Sequence, residues 1–181
     1  MDFPLVQLLK NGIKVEIDYM HPEEEEVVRA LLNSVIFEGK TYPQKQPLSQ
    51  AEFSSYWLSK DAFVVRASIV DTTHKPKEIL GAFYLKPNFP GRCSHICNAG
   101  FIVQPRLRGQ GIGRFMGETM LSIAANLGYE AVMFNLVFET NIASITLWQS
   151  LGFEIIGRVG RAVKLENDQV VDALILYRTL N

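Results

Sequence analysis

A chain of 181 residues with 48% hydrophobic side chains suits one domain with a real core. Its 18 basic and 19 acidic residues leave a formal net charge of -1, which argues against the basic excess of a general nucleic-acid binder. Two cysteines, Cys93 and Cys97, make no disulfide framework. With His95 they lack the further ligands of a closed zinc site, so reduced thiols and no metal are expected.

The start, MDFPLVQLLKNGIKVEI, has neither the basic flank nor the long apolar stretch of a signal peptide. No run is long enough to span a bilayer. These features lead to the expectation of a cytoplasmic protein, with a mitochondrial pool left open. Residues 12–20 alternate apolar and polar side chains and predict a strand. His21 and Pro22 then open a helix whose first turn holds Glu23 to Glu26, acids suited to its positive end and read here as solvated. Residues 37–48 predict a loop. Ser49 with Glu52 forms a capping-box pattern for a helix over 50–58. Strands are expected at 62–70 and 79–86, joined by the polar turn 71–77, and again at 96–103 after the irregular stretch PNFPGRCSH.

Helix 111–127 carries apolar residues at spacings that make one buried stripe. Residues 131–138, AVMFNLVF, read as a buried central strand. A helix over 141–150 and strands near 153–163 and 169–178 complete the chain. The order predicts one α/β domain over 1–181, a mixed sheet with helices on both faces.

The most informative stretch joins strand 96–103 to the next helix. Gly109, Gly111 and Gly113 remove side chains where backbone N–H groups and a helix N-terminus can meet an anion. Arg106, Arg108 and Arg114 add positive charge. Arg114-Phe115 does not supply the Lys-Ser/Thr of a P-loop, and the even glycine spacing departs from G-x-G-x-x-G. What fits is [Arg/Gln]-x-x-Gly-x-[Gly/Ala].

The segment Val103 to Gly113 resembles the acyl-CoA signature of the GNAT superfamily, and Asn141 to Phe153 resembles its second signature. The resemblance implies the GNAT fold: a mostly antiparallel sheet splayed between strands 96–103 and 131–138. It also implies an N-acetyltransferase with acetyl-CoA as donor and a small-molecule amine as acceptor, acting without nucleic acid, membrane or metal. Arg108, Gly109, Gln110, Gly111, Ile112, Gly113 and Arg114 would hold the pyrophosphate. Phe101, Ile102 and Val103 would run beside the pantetheine arm, with Asn141 bonded to it. Trp148 stands where many such enzymes have a tyrosine acid; an indole cannot deliver a proton at neutral pH, so Trp148 is expected among the cofactor-binding residues, lining the channel.

Strand 96–103 has no carboxylate to act as a base. It has Asn98, and strand 131–138 has Asn135. An asparagine in an apolar strand is costly unless its amide is paired, so the two predict a polar site or a structural pair. PNFPGRCSHICNAGF and FNLVFETNIAS resemble the fungal enzymes that N-acetylate azetidine-2-carboxylate and related proline analogues. That resemblance implies direct attack by the ring amine, with Asn98 and Asn135 as catalytic and substrate-binding residues and Asn141 at the substrate–donor junction. The substrate carboxylate is open to three partners: the first amides of helix 141–150, Lys86 or Arg92. The alternatives are another amine acceptor, such as a polyamine, another amino acid or a protein N-terminus, and a non-catalytic acyl-CoA-binding module. Exposed C-terminal strands add a homodimer to the expectations.

Overall fold

The computed structural model describes residues 2–68, 77–166 and 168–180. The predicted turn at 71–77, apart from Lys77, and the end of strand 62–70 lie outside the described residues. Eight strands form one sheet in the order β1-β2-β3-β4-β5-β6-β8-β7. They are β1 (Leu5–Leu8), β2 (Lys14–Tyr19), β3 (Asp61–Ala67), β4 (Ile79–Pro87), β5 (Ile96–Val103), β6 (Ala131–Phe138), β7 (Glu154–Lys164) and β8 (Val170–Thr179). The helices are α1 (Glu25–Phe37), α2 (Gln50–Trp57), α3 (Ile112–Asn126) and α4 (Ile142–Ser150). Among the described strands and α-helices, β1 alone has no counterpart in the sequence reading; four residues, mostly exposed, carry no period to detect.

Period-two alternation divides the core into two layers. Phe63, Val65, Phe83 and Leu85 face one side and pack with Met116 and Met120 of α3 and Trp148 of α4. Val64, Ala82, Tyr84 and Ile102 face the other and pack with Val28 and Leu32 of α1 and Phe53 and Trp57 of α2. Ser49 starts α2 as its pattern predicts: Ser49 Oγ accepts from the Glu52 N–H at 3.3 Å, and Glu52 Oε2 accepts from the Ser49 N–H at 2.8 Å.

The glutamate run is not wholly solvated. Glu24 is only 14% exposed at its side chain and pairs with Arg66 of β3 at 2.6 Å. Arg66 also donates to the Tyr19 carbonyl at 3.0 Å, so it ties β2, β3 and the start of α1 together. The sequence gives no sign of this because Arg66 sits 42 residues away from its partner.

Every strand pair is antiparallel except β5–β6, which are parallel. Those two pair only at Ile96↔Ala131 and Cys97↔Val132 and then part. The sheet therefore opens in its middle, and the rest of β5 faces a gap.

Candidate active site

Which groups of β5 face the gap follows from its register. The Gln104 N–H donates to the Leu80 carbonyl and the Asn88 N–H to the Ile96 carbonyl, so even-numbered main-chain groups of β5 point toward β4. The main-chain groups of Ala99, Phe101 and Val103 then face the gap. This is the edge an extended ligand can join as a further strand. Ile102 sits differently from the expectation: its main chain points to β4 and its side chain is buried under α1 and α2. The Phe101 carbonyl already accepts from Tyr42 Oη at 3.1 Å, leaving one lone pair.

A cavity of about 200 Å³ fills the gap and passes through the sheet. On the α3–α4 side its wall is Phe101, Phe134, Trp148, Asn141 and Ser144. On the other side it is Tyr42, Tyr56, Tyr84, Asn98 and Asn135. Among the described residues that line it there is no carboxylate, histidine, lysine or arginine. Gly100 is required here, because a Cβ would lie 2.4 Å from the Tyr84 ring. Thr41 Oγ1 lies buried on the same wall without a hydrogen-bond partner among the described residues, a polar atom that a ligand can satisfy.

Asn135 reaches the cavity through a bulge. Phe134 is opposite Leu176 and Val137 opposite Leu174, so β6 carries one residue more than β8 across this stretch. Bulges re-aim side chains in this way beside functional sites. Asn135 is exposed rather than buried, and Asn98 is half-buried. Their amides do not bond each other. Asn88, in the turn after β4, joins them: Asn88 Oδ1 accepts from Asn135 Nδ2 at 2.6 Å and from Asn98 Nδ2 at 3.2 Å. Asn88 Nδ2 donates to Asn135 Oδ1 at 2.9 Å. Sequence reasoning missed Asn88, because an asparagine between two prolines reads as an ordinary turn residue.

The tyrosines were also missed. Burial pushes the Tyr42 phenol well up, and burial together with the neighbouring Tyr56 pushes Tyr84 up, so both stay protonated at neutral pH. Tyr84 Oη donates to Tyr56 Oη at 3.4 Å. Behind these rings lies Lys86, paired across the strands with Asn98. Its ammonium is 4.9 Å from the Tyr56 ring centre and 4.6 Å from that of Tyr84, and donates to the Tyr56 carbonyl at 3.1 Å. Burial lowers its pKa. Arg92 is exposed on a separate turn and does not line the cavity.

Trp148 is a wall rather than a donor to the cavity. Its Nε1–H is spent on Ser144 Oγ at 2.8 Å, and its ring packs 4.8 Å from Phe101 and 4.6 Å from Phe134. Asn141 Oδ1 accepts from the Ser144 N–H at 3.2 Å and caps α4, which leaves its Nδ2 group for the cavity. Cys97, at the root of the gap, has its thiol pushed up to about 12 by burial. Among the described residues no group of three metal-ligating side chains occurs.

The glycine loop fits a pyrophosphate. Gly109 and Gly111 have φ of +75° and +93°, a backbone that other residues rarely adopt. A Cβ at Gly109 would meet nothing, so conformation and not crowding demands the glycine. The N–H of Phe115 bonds the Gly111 carbonyl, and the amides just before it have no carbonyl a turn back to receive them. They sit at the positive end of α3. Gly113 packs against Leu147 of α4. The Gln110 side chain turns away and bonds Asn11 and the Arg106 carbonyl.

The arginines are less free than their sequence suggests. Arg108 makes a two-pronged pair with Glu38 at 2.8 and 2.9 Å. Arg114 bonds Ser150 at 2.7 Å, and Arg106 pairs with Glu78. These exposed pairs are weak and can open. The anion cradle is therefore first of all backbone.

A split sheet with a strand edge on one side, a backbone anion cradle at its end and an amide-lined cavity between defines an acyl-CoA-dependent transferase. The model of the acetyltransferase (GNAT) family matches residues 32–153. The N-acetyltransferase aca1 of Schizosaccharomyces pombe is 37% identical over 166 residues, 84% of this chain and 79% of aca1. A GCN5-related N-acetyltransferase from Kribbella flavida superposes with a TM-score of 0.82 at 28% identity, over 91% of this chain and 97% of that one. The structure of yncA from Salmonella typhimurium with its cofactor acetyl-CoA has the same fold, with a TM-score of 0.79 at 14% identity over 92% of this chain and 94% of that one. This chain belongs to the acetyltransferase (GNAT) family and is an N-acetyltransferase with acetyl-CoA as donor.

Proposed function

We propose that the chain acetylates the ring nitrogen of a small cyclic imino acid, L-azetidine-2-carboxylate or a related proline analogue, by direct attack in a ternary complex. The observation that carries this reading is the cavity itself: small, neutral, and lined by the amides of Asn98, Asn135 and Asn141 and by protonated tyrosines, with the Lys86 cation behind them. A polyamine needs acidic partners, and none of the described lining residues provides one. A compact zwitterion fits better, its carboxylate drawn to the Lys86 side. The likeness to aca1 supports an N-acetyltransferase without choosing its acceptor.

In this reading the amides of residues 109–114 hold the pyrophosphate. The main chain at Phe101 and Val103 pairs with the pantetheine arm, Asn141 bonds the same arm, and Trp148 closes the channel. The donor supplies an activated acetyl group. Asn98 and Asn135 hold the acceptor so that its nitrogen points at that group. The acceptor ammonium must first lose a proton. Tyr42 and Tyr84, held protonated, are donors rather than bases, so the proton leaves to water.

The proposal extends to a homodimer of cytoplasmic enzyme. Its support is the edge strand β7, where Ile155, Ile156 and Val159 are 43%, 53% and 42% exposed. No helix among the described residues is long and apolar enough to cross a membrane.

The direct test measures thiol release from acetyl-CoA with azetidine-2-carboxylate, proline, a primary amino acid and spermidine. The proposal predicts the highest kcat/KM for azetidine-2-carboxylate. A preference for spermidine, or no turnover of the imino acid, would overturn it.

A further inference from the structure

Acetyl transfer needs a place for the departing thiol as well as for the acceptor, and one hydroxyl of the cavity holds an uncommitted proton on the α4 side. Three other helical serines spend their hydroxyls on the turn before them. Ser34 Oγ donates to the Leu31 carbonyl at 2.7 Å, Ser122 Oγ to that of Glu118 at 3.2 Å and Ser150 Oγ to that of Leu147 at 2.6 Å. Ser144 does not. Its Oγ accepts the Trp148 Nε1–H at 2.8 Å, and its own O–H has no acceptor among the described residues. An indole nitrogen only donates, so the direction of this bond is fixed and the Ser144 proton must point elsewhere. Trp148 is 4% exposed and packs against Phe101 and Phe134, which holds that donor in place.

The position of Ser144 along α4 gives the free proton a use. The far end of α4 lies at the glycine loop: Ser150 bonds Arg114, and Leu147 touches Gly113. From Ser150 back to the Asn141 cap the helix runs about 14 Å, so its first turn opens on the cavity at the end remote from the loop. Ser144 sits in that first turn, where the helix favours negative charge. The other hydroxyls that line the cavity, those of Thr41, Tyr42, Tyr56 and Tyr84, stand on the opposite wall.

We propose that Ser144 is a catalytic residue for thiol departure: its O–H, aimed by Trp148 as a positioning residue, hydrogen-bonds the sulfur as the thiolate leaves. This rests on the donor placement proposed above and not on the identity of the acceptor. The acceptor nitrogen gives its lone pair to the acetyl carbon and forms the C–N bond. The C–S bond breaks with its electron pair on sulfur, and the proton of the acylated nitrogen goes to water. Ser144 keeps its own proton; a thiol of pKa about 8.5 leaves readily as the anion and needs only a charge-assisted hydrogen bond.

Binding separates this role from a structural one. Affinities for CoA and for desulfo-CoA, which lacks the sulfur, are measured from about pH 6 to about pH 9.5 in wild-type, Ser144→Ala and Ser144→Thr proteins. A hydrogen bond to the thiolate lowers the pKa of the bound thiol, so the complex sheds a proton and CoA gains on desulfo-CoA as pH rises toward the free thiol's value of about 8.5. At the alkaline end the CoA-to-desulfo-CoA affinity ratio should be about tenfold lower in Ser144→Ala than in wild type, the worth of one hydrogen bond to a charged group, with the gap closing in acid. Ser144→Thr should keep the wild-type ratio. In turnover, kcat should fall in Ser144→Ala with little change in the KM for acetyl-CoA. Equal ratios in wild type and Ser144→Ala at every pH overturn the inference even where stability or turnover falls, because a mere partner for the indole would lower those. Should Ser144→Ala fail to fold with its indole unpaired, Trp148→Phe is compared with the Trp148→Phe, Ser144→Ala double variant. The single variant should hold the higher ratio, and equal ratios overturn the inference. Donor placement is judged separately: a desulfo-CoA affinity unchanged by Gly111→Val would defeat it.

Discussion

In the proposed function, single residues carry the donor end of the site through backbone conformation and the acceptor end through amide chemistry. Gly111 illustrates the first. Its φ of +93° is strained for any side chain, by about 1–3 kcal/mol for a branched one. Gly111→Val should therefore distort the cradle, and the KM for acetyl-CoA should rise by about tenfold or more with a smaller effect on acceptor KM. Steady-state kinetics with each substrate varied in turn measure this, and an unchanged donor KM would remove the loop from donor binding. Gly109, Gly111 and Gly113 were legible in the sequence because glycine pattern encodes backbone shape directly. Asn98 and Asn135 were legible because amides stand out in apolar strands. Asn88, Tyr42 and Thr41 were not: they come from turns and loops, where polar residues are ordinary and only the folded chain shows what they face.

Elements were read well where a local rule governs them. The Ser49–Glu52 capping box, the apolar face of α3 and the strand β6 all depend on neighbours within a turn or two. The β6 bulge and the short β5–β6 pairing depend on partners far along the chain, so no local pattern announces them. The same holds for Arg66. Its guanidinium faces Glu24 at 2.6 Å, Asp18 at 3.8 Å and Glu16 at 3.9 Å, with Lys77 sharing Glu16. Burial pushes the Glu24 carboxyl up, but hydrogen bonds from Arg66 and the His21 N–H bring it below its ordinary 4.5. A lowered carboxyl stabilises the fold above its unfolded value, and that contribution is lost as pH falls through the folded value. Arg66→Met leaves Glu24 buried without its cation and should cost about 3 kcal/mol at pH 7. The gap to wild type should narrow as Glu24 takes up a proton in acid. Denaturant melts from pH 7 down to about pH 3 check this; a gap independent of pH would contradict the network.

At the scale of the molecule, the sheet works because it is incomplete. Its central opening lets the free edge of β5 and the amide cluster meet inside one cavity, with α3 and α4 on one face and α1 and α2 on the other. One outer edge of the sheet is β7, which the proposed homodimer would use. In the proposed homodimer, Ile156→Lys should shift the mass in light scattering from two chains to one at micromolar concentration, because a charge on a paired apolar edge is costly. A wild-type protein that is already monomeric would contradict that assembly without touching the active site. If the amides at the opening bind the acceptor while the glycine loop binds the donor, mutation should separate the two functions. Kinetics of Asn135→Ala with donor binding measured in parallel tests it most directly. The variant's kcat/KM for the acceptor should fall by about a hundredfold, in the range for loss of an oriented polar contact in the transition state, with acetyl-CoA affinity within about twofold of wild type. Wild-type turnover in Asn135→Ala would contradict it.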